Sequence, residues 1–566
     1  MMGNTRRNYL LSLAMLLCSL LFSASSETLF AQSVELAEPV ADTLVVCPES
    51  LQGELQRWVD YRTSQGHQIK VVLPVASAFG MKQLVREHQA NHALRHLVLV
   101  GSARGAQPLV PVDLRLAQVN FFFGSELDIA TDNSYVDTDQ DGAPDLAMGR
   151  IPVSTPEELR AYIDRVICYE NDQPQTTWRR RINIIAGVGG FGGIADKTIE
   201  NTVKILLGDH IPPGYDVTMT YGSWTSPWCP DPRQFSRVAL ERFNEGCLFW
   251  VYVGHGSRQR LDLIRTPLGR FPVMDVASIS QINSRQGSPL ALFLACHTGA
   301  FDDAKRSLAE TLLLQKDGPI GVISGTRVTM PTAMGLLALG LMDQQFAGNA
   351  ETVGEMLRLA KLQMLSPSGS RELAEVREMI VGLNFLLSPR PDLLTQELNE
   401  HLHLFHLLGD PLVRVQRPRD LALQLDSPLP AADGTLVLKG DAPFAGKLTL
   451  EVCYPRDRLR QRPILRDKSK LNSDGLLTFQ AEYEKAIDQV CQQLRVDVNS
   501  GEFRQAIKLP LGVEGPMVIR AFLESPQNCA IGGIRTELNL RDVIPAAQPE
   551  SQSERLSRKP EVGRSK

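Results

Sequence analysis

The 566-residue sequence carries no excess of basic charge: 59 Lys and Arg against 64 Asp and Glu leave a formal net charge of -5. Nucleic-acid partners, which ordinarily require a basic stripe or a basic domain, are therefore not indicated. The cysteines are sparse and include no CxxC pair, which argues against a zinc knuckle and a small disulfide scaffold. A membrane-spanning run is also missing. The most apolar segment, Leu10 to Phe22, follows Arg6 and Arg7 and precedes Ser23, Ala24, Ser25 and Ser26. That is the layout of a secretory signal peptide, too short for a comfortable span. Residues 1–31 are assigned to this peptide, with cleavage after Ser25 or Ala31. The mature chain is expected to have no transmembrane segment and to be exported to the periplasm, cell surface or exterior. Export permits disulfides, yet Cys47 and Cys247 lie in strand-like runs where an inert buried thiol is the expectation.

An apolar fraction of 43% and a charged fraction of 22% describe a globular protein, and the length suits two to four domains. From Thr43 the chain alternates strand-like and helix-like runs. Thr43 to Val46 reads as a strand, Leu51, Leu55, Trp58 and Val59 share one helix face, and Ile69 to Leu73 and Leu97 to Gly101 read as further strands. Short connections of this kind mark a parallel α/β sheet. Thr155, Pro156 and Glu158 open a helix with a cap, a proline at its first position and a capping-box acid. The polar stretch from Asn171 to Trp178 separates this unit from a second with the same rhythm. After Pro418 the runs are short and turn-rich, with no convincing long helix, as in a β-sandwich. The tail from residue 544 is polar, lacks aromatics and is expected to be disordered.

Two stretches of the second unit carry chemistry. Leu248 to Val253 and Leu290 to Ala295 are apolar runs with no polar face, ending in Gly254-His255-Gly256 and in Cys296-His297-Thr298-Gly299. Such runs suit buried parallel strands whose carboxyl ends open on a ligand crevice. Either His255 or Cys296 alone reads equally well as a core residue. Together, at two strand ends, they supply a thiol and the base or cation that raises its thiolate fraction. Glycines beside His255 allow close backbone approach, and the amides of Gly256 and Cys296 are the candidate oxyanion donors.

A third stretch is acidic. Asp137, Asp139 and Asp141, followed by Gly142, resemble the start of an EF-hand loop, and Asp145 falls at its ninth position. Met148 stands where the bidentate glutamate should be, which excludes a full EF-hand. A less regular calcium site competes here with a plainly solvated acidic loop.

Val253-Gly254-His255-Gly256-Ser257 and Leu294-Ala295-Cys296-His297-Thr298-Gly299 resemble the His and Cys motifs of the gingipain-type cysteine peptidases (peptidase family C25, caspase-like clan). The resemblance extends to Asp132-Asn133-Ser134-Tyr135, to Pro144 through Val153 and to Leu408-Gly409-Asp410-Pro411, covering roughly Leu44 to Val415. It implies a caspase-like catalytic region in two subdomains, 42–175 and 176–418, and an immunoglobulin-like sandwich at 419–543. It also implies an exported cysteine endopeptidase acting on polypeptide substrates, with Cys296 as nucleophile and His255 as general base or acid. No cofactor is expected for catalysis, and the family's calcium binding favours a structural Ca2+ at the acidic loop. His297 is given no catalytic role, its imidazole being expected to point away on an extended segment.

The chain departs from the best-known members in three respects. It shows no clear further β-domain of the kind used for type IX secretion, and no obvious long propeptide before Leu44. It also offers no recognisable acid for a basic P1 pocket. Asp209, Asp216 and Asp231 are the nearest acidic residues upstream of His255, none in a recognisable pocket motif; Asp231 could reach the site only if the loop Trp224 to Arg233 folds over it, so a neutral or apolar P1 is favoured. The alternative function is a caspase-fold surface or export-associated protein that binds or processes one partner, with little general proteolysis.

Overall fold

The computed structural model describes residues 40–538 apart from 172–174, 190–209, 267–268, 285, 367–369, 389, 428–429, 432, 461, 465, 467–472 and 511–512. Ten strands form one sheet: β1 (Thr43–Val46), β2 (Ile69–Val72), β3 (His96–Val100), β4 (Ala147–Ile151), β5 (Arg181–Ala186), β6 (Asp216–Tyr221), β7 (Phe249–Val253), β8 (Leu290–Leu294), β9 (Gly321–Gly325) and β10 (Phe405–Gly409). Their spatial order is β2-β1-β3-β4-β10-β9-β8-β7-β5-β6. Every neighbouring pair is parallel except β9 and β10, which run antiparallel from Gly321 opposite Gly409 to Gly325 opposite Phe405. The sheet is thus two five-stranded parallel halves of opposite direction. The apolar character of β3, β8 and β9, broken only by His96 and Ser324, follows from this layout, because all three are buried throughout.

The helices expected from apolar periodicity are present, among them α1 (Glu49–Ser64), α2 (Pro156–Asn171), α3 (Phe235–Asn244), α4 (Pro331–Phe346) and α5 (Val353–Leu365). The stretch Ala195 to Leu207 of the second unit also reads as a helix in the sequence, and it lies outside the described residues. A further helix, α6 (Leu394–Leu404), leads directly into β10. It escapes apolar patterning because Glu397, Glu400 and His401 all face inward. Two short antiparallel pairs, Asp113–Leu116 with Asp128–Thr131 and Leu263–Thr266 with Gly269–Pro272, are also unmarked by any hydrophobic run.

The carboxyl-terminal region forms a five-stranded and a three-stranded sheet around an apolar core that includes Leu438, Leu450, Val452 and Ile519. Contrary to the sequence expectation, it contains a helix, α7 (Ser473–Ile487). This helix packs toward the edge of the large sheet: the hydroxyls of Tyr483 and of Thr220 in β6 are 2.7 Å apart. Close by, Arg520 pairs with Glu451 at 2.6 Å and with Asp216 of β6 at 2.9 Å, while Arg180 reaches Glu451 at 2.9 Å. Among the described residues no helix is long and apolar enough to cross a membrane.

Asp410, in the Leu408-Gly409-Asp410-Pro411 motif, ties the end of β10 to α1. Its Oδ2 accepts from Trp58 Nε1 at 2.6 Å and from Arg62 Nη2 at 2.6 Å, and its Oδ1 accepts the Leu412 amide at 2.9 Å. Arg62 and Asp410 are both fully buried at the side chain, and Glu170 is the second acid on the guanidinium. Asp410→Ala therefore strands half of a buried ion pair and an indole N–H. A loss of about 3–5 kcal/mol is expected, measured as a lower urea-unfolding midpoint. An unchanged midpoint would mean that Glu170 alone satisfies Arg62.

Candidate active site

β7 and β8 are adjacent and parallel with Val253 opposite Leu294, so His255 and Cys296 leave the sheet at one edge. The Gly254 amide extends the ladder by donating to the Leu294 carbonyl at 3.2 Å. The two outgoing segments then touch. A Cβ on Gly256 would lie 2.7 Å from the Cys296 carbonyl oxygen and 2.7 Å from Thr298 Cγ2, so only glycine allows this approach. A Cβ on Gly254 would similarly meet the Tyr252 hydroxyl at 2.7 Å. The amides of Gly256 and Cys296 have no acceptor among the described residues.

Asp262 organises the His255 segment and carries no signal in the sequence. Its Oδ2 accepts the amides of His255 at 3.2 Å and Val188 at 3.0 Å, and the Tyr252 hydroxyl at 3.3 Å. The same hydroxyl lies 2.8 Å from the His255 carbonyl. Missed by sequence reading for the same reason, these contacts come from a residue seven positions downstream, returned by the turn through Ser257 and Arg260.

Cys296 is partly exposed, and its sulfur faces Thr329, whose amide lies 3.3 Å and whose Oγ1 lies 3.6 Å away. His297 does not continue an extended segment: its φ is 58°, a left-handed turn uncommon for a residue with a side chain. The turn is held by its amide on the Arg327 carbonyl at 3.0 Å and its Nε2 on Glu126 at 3.1 Å. Glu126 also pairs with Arg258, and Arg258 with Asp303 at 2.7 Å. Burial works against ionisation of Glu126, but its own backbone amide, His297 and Arg258 hold its carboxyl down at about 2. Burial, helped by Arg258 and Arg327, outweighs Glu126 at His297 and holds that imidazole below its ordinary value. A neutral imidazole donating from Nε2 to a carboxylate satisfies both.

The segment from Thr326 to Met330 passes Cys296 between β9 and α4, and α6 anchors it. His401 Nε2 accepts the Met330 amide at 2.8 Å, Glu397 Oε1 accepts the Ala333 amide at 3.3 Å, and Glu400 takes the amides of Gln118, Val119 and Asn120 at 2.5, 2.8 and 2.7 Å. The inward face of α6 thus binds main-chain N–H groups.

Of the acids considered for a P1 pocket, Asp231 is buried and forked onto Arg233, with Nη2 to Oδ2 at 2.5 Å. Asp216 is paired with Arg520, and Asp209 lies outside the described residues. The loop residue is therefore already neutralised within its own turn.

At the acidic loop, ligand oxygens of Asp137, Asp139 and Asp141 lie within 4.8 Å of one another, a group that could hold a metal ion. Asp145 stands outside that group, its Oδ2 accepting the Thr138 amide at 2.8 Å and the Thr138 hydroxyl at 2.6 Å. Asp137 is 6% exposed, and its Oδ1 is buried without a hydrogen-bond partner. Burial, with Asp141, Asp139 and Asp145 adding to it, pushes its carboxyl above the ordinary value. An orphaned carboxylate oxygen among two others fits a hard, oxygen-preferring cation. Elsewhere, burial pushes the Cys47, Cys229 and Cys453 thiols up to about 12, the inert state expected for Cys47.

Residues 36–416 match the family model for peptidase family C25, and the chain belongs to that family. It is 24% identical over 295 residues to gingipain R2 of Porphyromonas gingivalis, an alignment covering 50% of this chain and 36% of that protein. With Lys-gingipain of the same organism it shares 25% identity over 198 residues, 34% of this chain and 10% of the relative. The chain thus spans about a third or less of the length of these curated relatives. Its fold is similar to that in the crystal structure of the Arg-specific cysteine proteinase gingipain R. The TM-score is 0.50 at 16% identity, over 88% of this chain and 98% of the other.

Glu397 gives the site's surroundings a pH dependence. Burial pushes its carboxyl up to about 7, with the Ala333 amide opposing and Glu400 adding to the rise. Folded Glu397 keeps its proton at pH values where the unfolded chain, near 4.5, has released it. The stability it contributes is therefore present below about pH 4.5 and lost as pH rises through 7. Glu397→Gln is neutral throughout and keeps the acceptor for Ala333. Between pH 5 and 8 the variant is expected to lose less stability than the parent, by as much as about 3 kcal/mol, read from urea midpoints. Parallel pH profiles would contradict the protonated state.

Proposed function

We propose that the chain is an exported cysteine endopeptidase in which Cys296 is the nucleophile and His255 the acid and base. The observation that carries this reading is the contact of two strand ends, β7 and β8 in register with Gly256 laid on the Cys296 backbone. The Cys296 thiol gives its proton to His255 as its sulfur bonds to the peptide carbonyl carbon, and the developing oxyanion is met by the Gly256 and Cys296 amides. As the C–N bond breaks, the leaving amine takes a proton from His255. Water then gives a proton to His255 and its oxygen to the thioester carbon, the C–S bond breaks to release the acid, and His255 returns the proton to the sulfur. No cofactor enters these steps. The division of the chain at 42–175, 176–418 and 419–543 belongs to this reading, with the last part a sandwich. Removal of residues 1–31 on export does too.

The full chain should be labelled at Cys296 by peptidyl acyloxymethyl ketones, with neutral or apolar P1 residues reacting faster than Arg or Lys. Cys296→Ala should abolish both labelling and peptide hydrolysis. A sharp preference for Arg or Lys would reveal an acid other than Asp216 and Asp231 in the P1 pocket. Labelling at Cys296 without hydrolysis of any library peptide would favour the single-partner binding or processing protein.

The acidic loop is read as a structural calcium site made by Asp137, Asp139 and Asp141, with Asp145 bracing the loop through Thr138. Calcium should raise the melting temperature of the full chain through linkage, chelator should reverse this, and Asp137→Asn should remove the response. A melting temperature indifferent to both would leave only a solvated acidic loop.

A further inference from the structure

Thr329 presents three groups to the Cys296 sulfur. Its amide is 3.3 Å from Sγ, its Oγ1 3.6 Å and its carbonyl oxygen 3.7 Å. A thiol needs an acceptor and a thiolate needs donors, and this one residue offers both. The carbonyl can take the S–H and the amide can take the negative charge once the proton has gone, joined by the hydroxyl, whose single hydrogen has Met334 Sδ at 3.1 Å as its other acceptor. What places Thr329 there is the next peptide unit. The Met330 amide is bound by His401 Nε2 at 2.8 Å, and His401 Nδ1 lies 2.7 Å from the Glu397 carbonyl. Those two bonds define the tautomer: Nδ1 carries the hydrogen and Nε2 is the acceptor. The Thr329 carbonyl and the Met330 amide belong to one rigid peptide plane, so the imidazole fixes the face that Thr329 turns to the sulfur. At its other end the segment is held by the Thr326 amide on the Leu404 carbonyl at 2.9 Å and by the Thr326 hydroxyl on the Ala130 carbonyl at 3.0 Å.

We propose that Thr329 and His401 are positioning residues for the nucleophile, Thr329 acting directly on the Cys296 sulfur and His401 holding Thr329 in place. The catalytic meaning rests on Cys296 being the nucleophile, whereas the effect on the sulfur is measurable without any substrate. None of the substitutions below touches the His297, Glu126, Arg258 and Arg327 cluster, or Asp262 and Tyr252.

The test is site-resolved alkylation of the full chain by iodoacetamide near neutral pH, followed by mass spectrometry, with Cys168 as the internal control. Losing one hydrogen bond to a charged sulfur lowers the thiolate fraction, partly offset by the greater nucleophilicity of a more basic thiolate. Thr329→Val should therefore slow Cys296 alkylation by roughly three- to fivefold. Thr329→Ser should restore it. His401→Leu should slow it to a similar extent, and His401→Gln, whose amide oxygen can accept the Met330 N–H, should restore most of the rate. Alkylation of Thr329→Val at the parental rate, with Cys168 unchanged, overturns the role of Thr329. Slowing in both His401 variants alike, with no rescue by glutamine, overturns that of His401. If His401→Leu does not fold, the glutamine variant still decides, because it must keep most of the parental rate and a three- to fivefold slowing there overturns the role of His401. Absence of peptide hydrolysis by the parent chain would count against the peptidase reading alone and leave these rates as they stand.

Discussion

The antiparallel ladder between β9 and β10 is the constraint on which the rest of the molecule depends. Each half of the sheet is a parallel α/β unit, and a parallel unit brings its loops to the carboxyl ends of its strands. Because the halves meet head to tail, the amino ends of β4 and β10 fall on the same edge as the carboxyl ends of β7, β8 and β9. This explains why segments far apart in sequence converge on Cys296. Glu126 reaches His297, the Asp128 carbonyl takes the Arg327 guanidinium, and the Ala130 carbonyl takes the Thr326 hydroxyl. The acidic loop, which enters β4 at Ala147, arrives at that edge for the same reason. A sheet parallel throughout would have sent all of these to the opposite side.

The second unit supplies the chemical groups and the first unit, with α6, supplies their support. Helix α6 is placed for this by leading straight into β10, so its buried face looks across the start of α4. Three buried acceptors on one helix would be costly without donors. Backbone amides at 118–120, 330 and 333 supply them, and the cost becomes an anchor for two loops at once. Asp262 does the same for the amides of Val188 and His255.

Much of this was legible in the sequence where apolar runs mark burial, on both faces in β1 and β8 and fully on only one in β7. Thr43 to Val46, the β7 and β8 runs and the helix beginning at Pro156 needed only apolar patterning and a cap, and the position of His255 and Cys296 at strand ends followed. What escaped was polar and inward-facing. Helix α6 hides its period because Glu397, Glu400 and His401 occupy positions where apolar residues signal a core. Asp262 and Thr329 are ordinary loop residues until the tertiary fold brings them to His255 and Cys296. The left-handed turn at His297 likewise belongs to contacts with Glu126 and Arg327, far away in the chain. The acidic loop was visible as a cluster, but spacing alone could not tell that Asp145 would turn to Thr138 while Asp137 kept an oxygen unpartnered.

The use of main-chain donors by α6 bears on how such a molecule can diverge. Glu397, Glu400 and His401 hold Ala333, Met330 and residues 118–120 through amides that almost any amino acid possesses. The side chains of Gln118, Val119, Met330 and Ala333 are thereby released from fixing the loops' path, a duty that those of Thr326 and Arg327 keep. Mutation can change those side chains in size, charge or polarity while the frame around Cys296 keeps its shape. These positions beside Cys296 are then free to drift, and the residues that hold them there are hidden beneath.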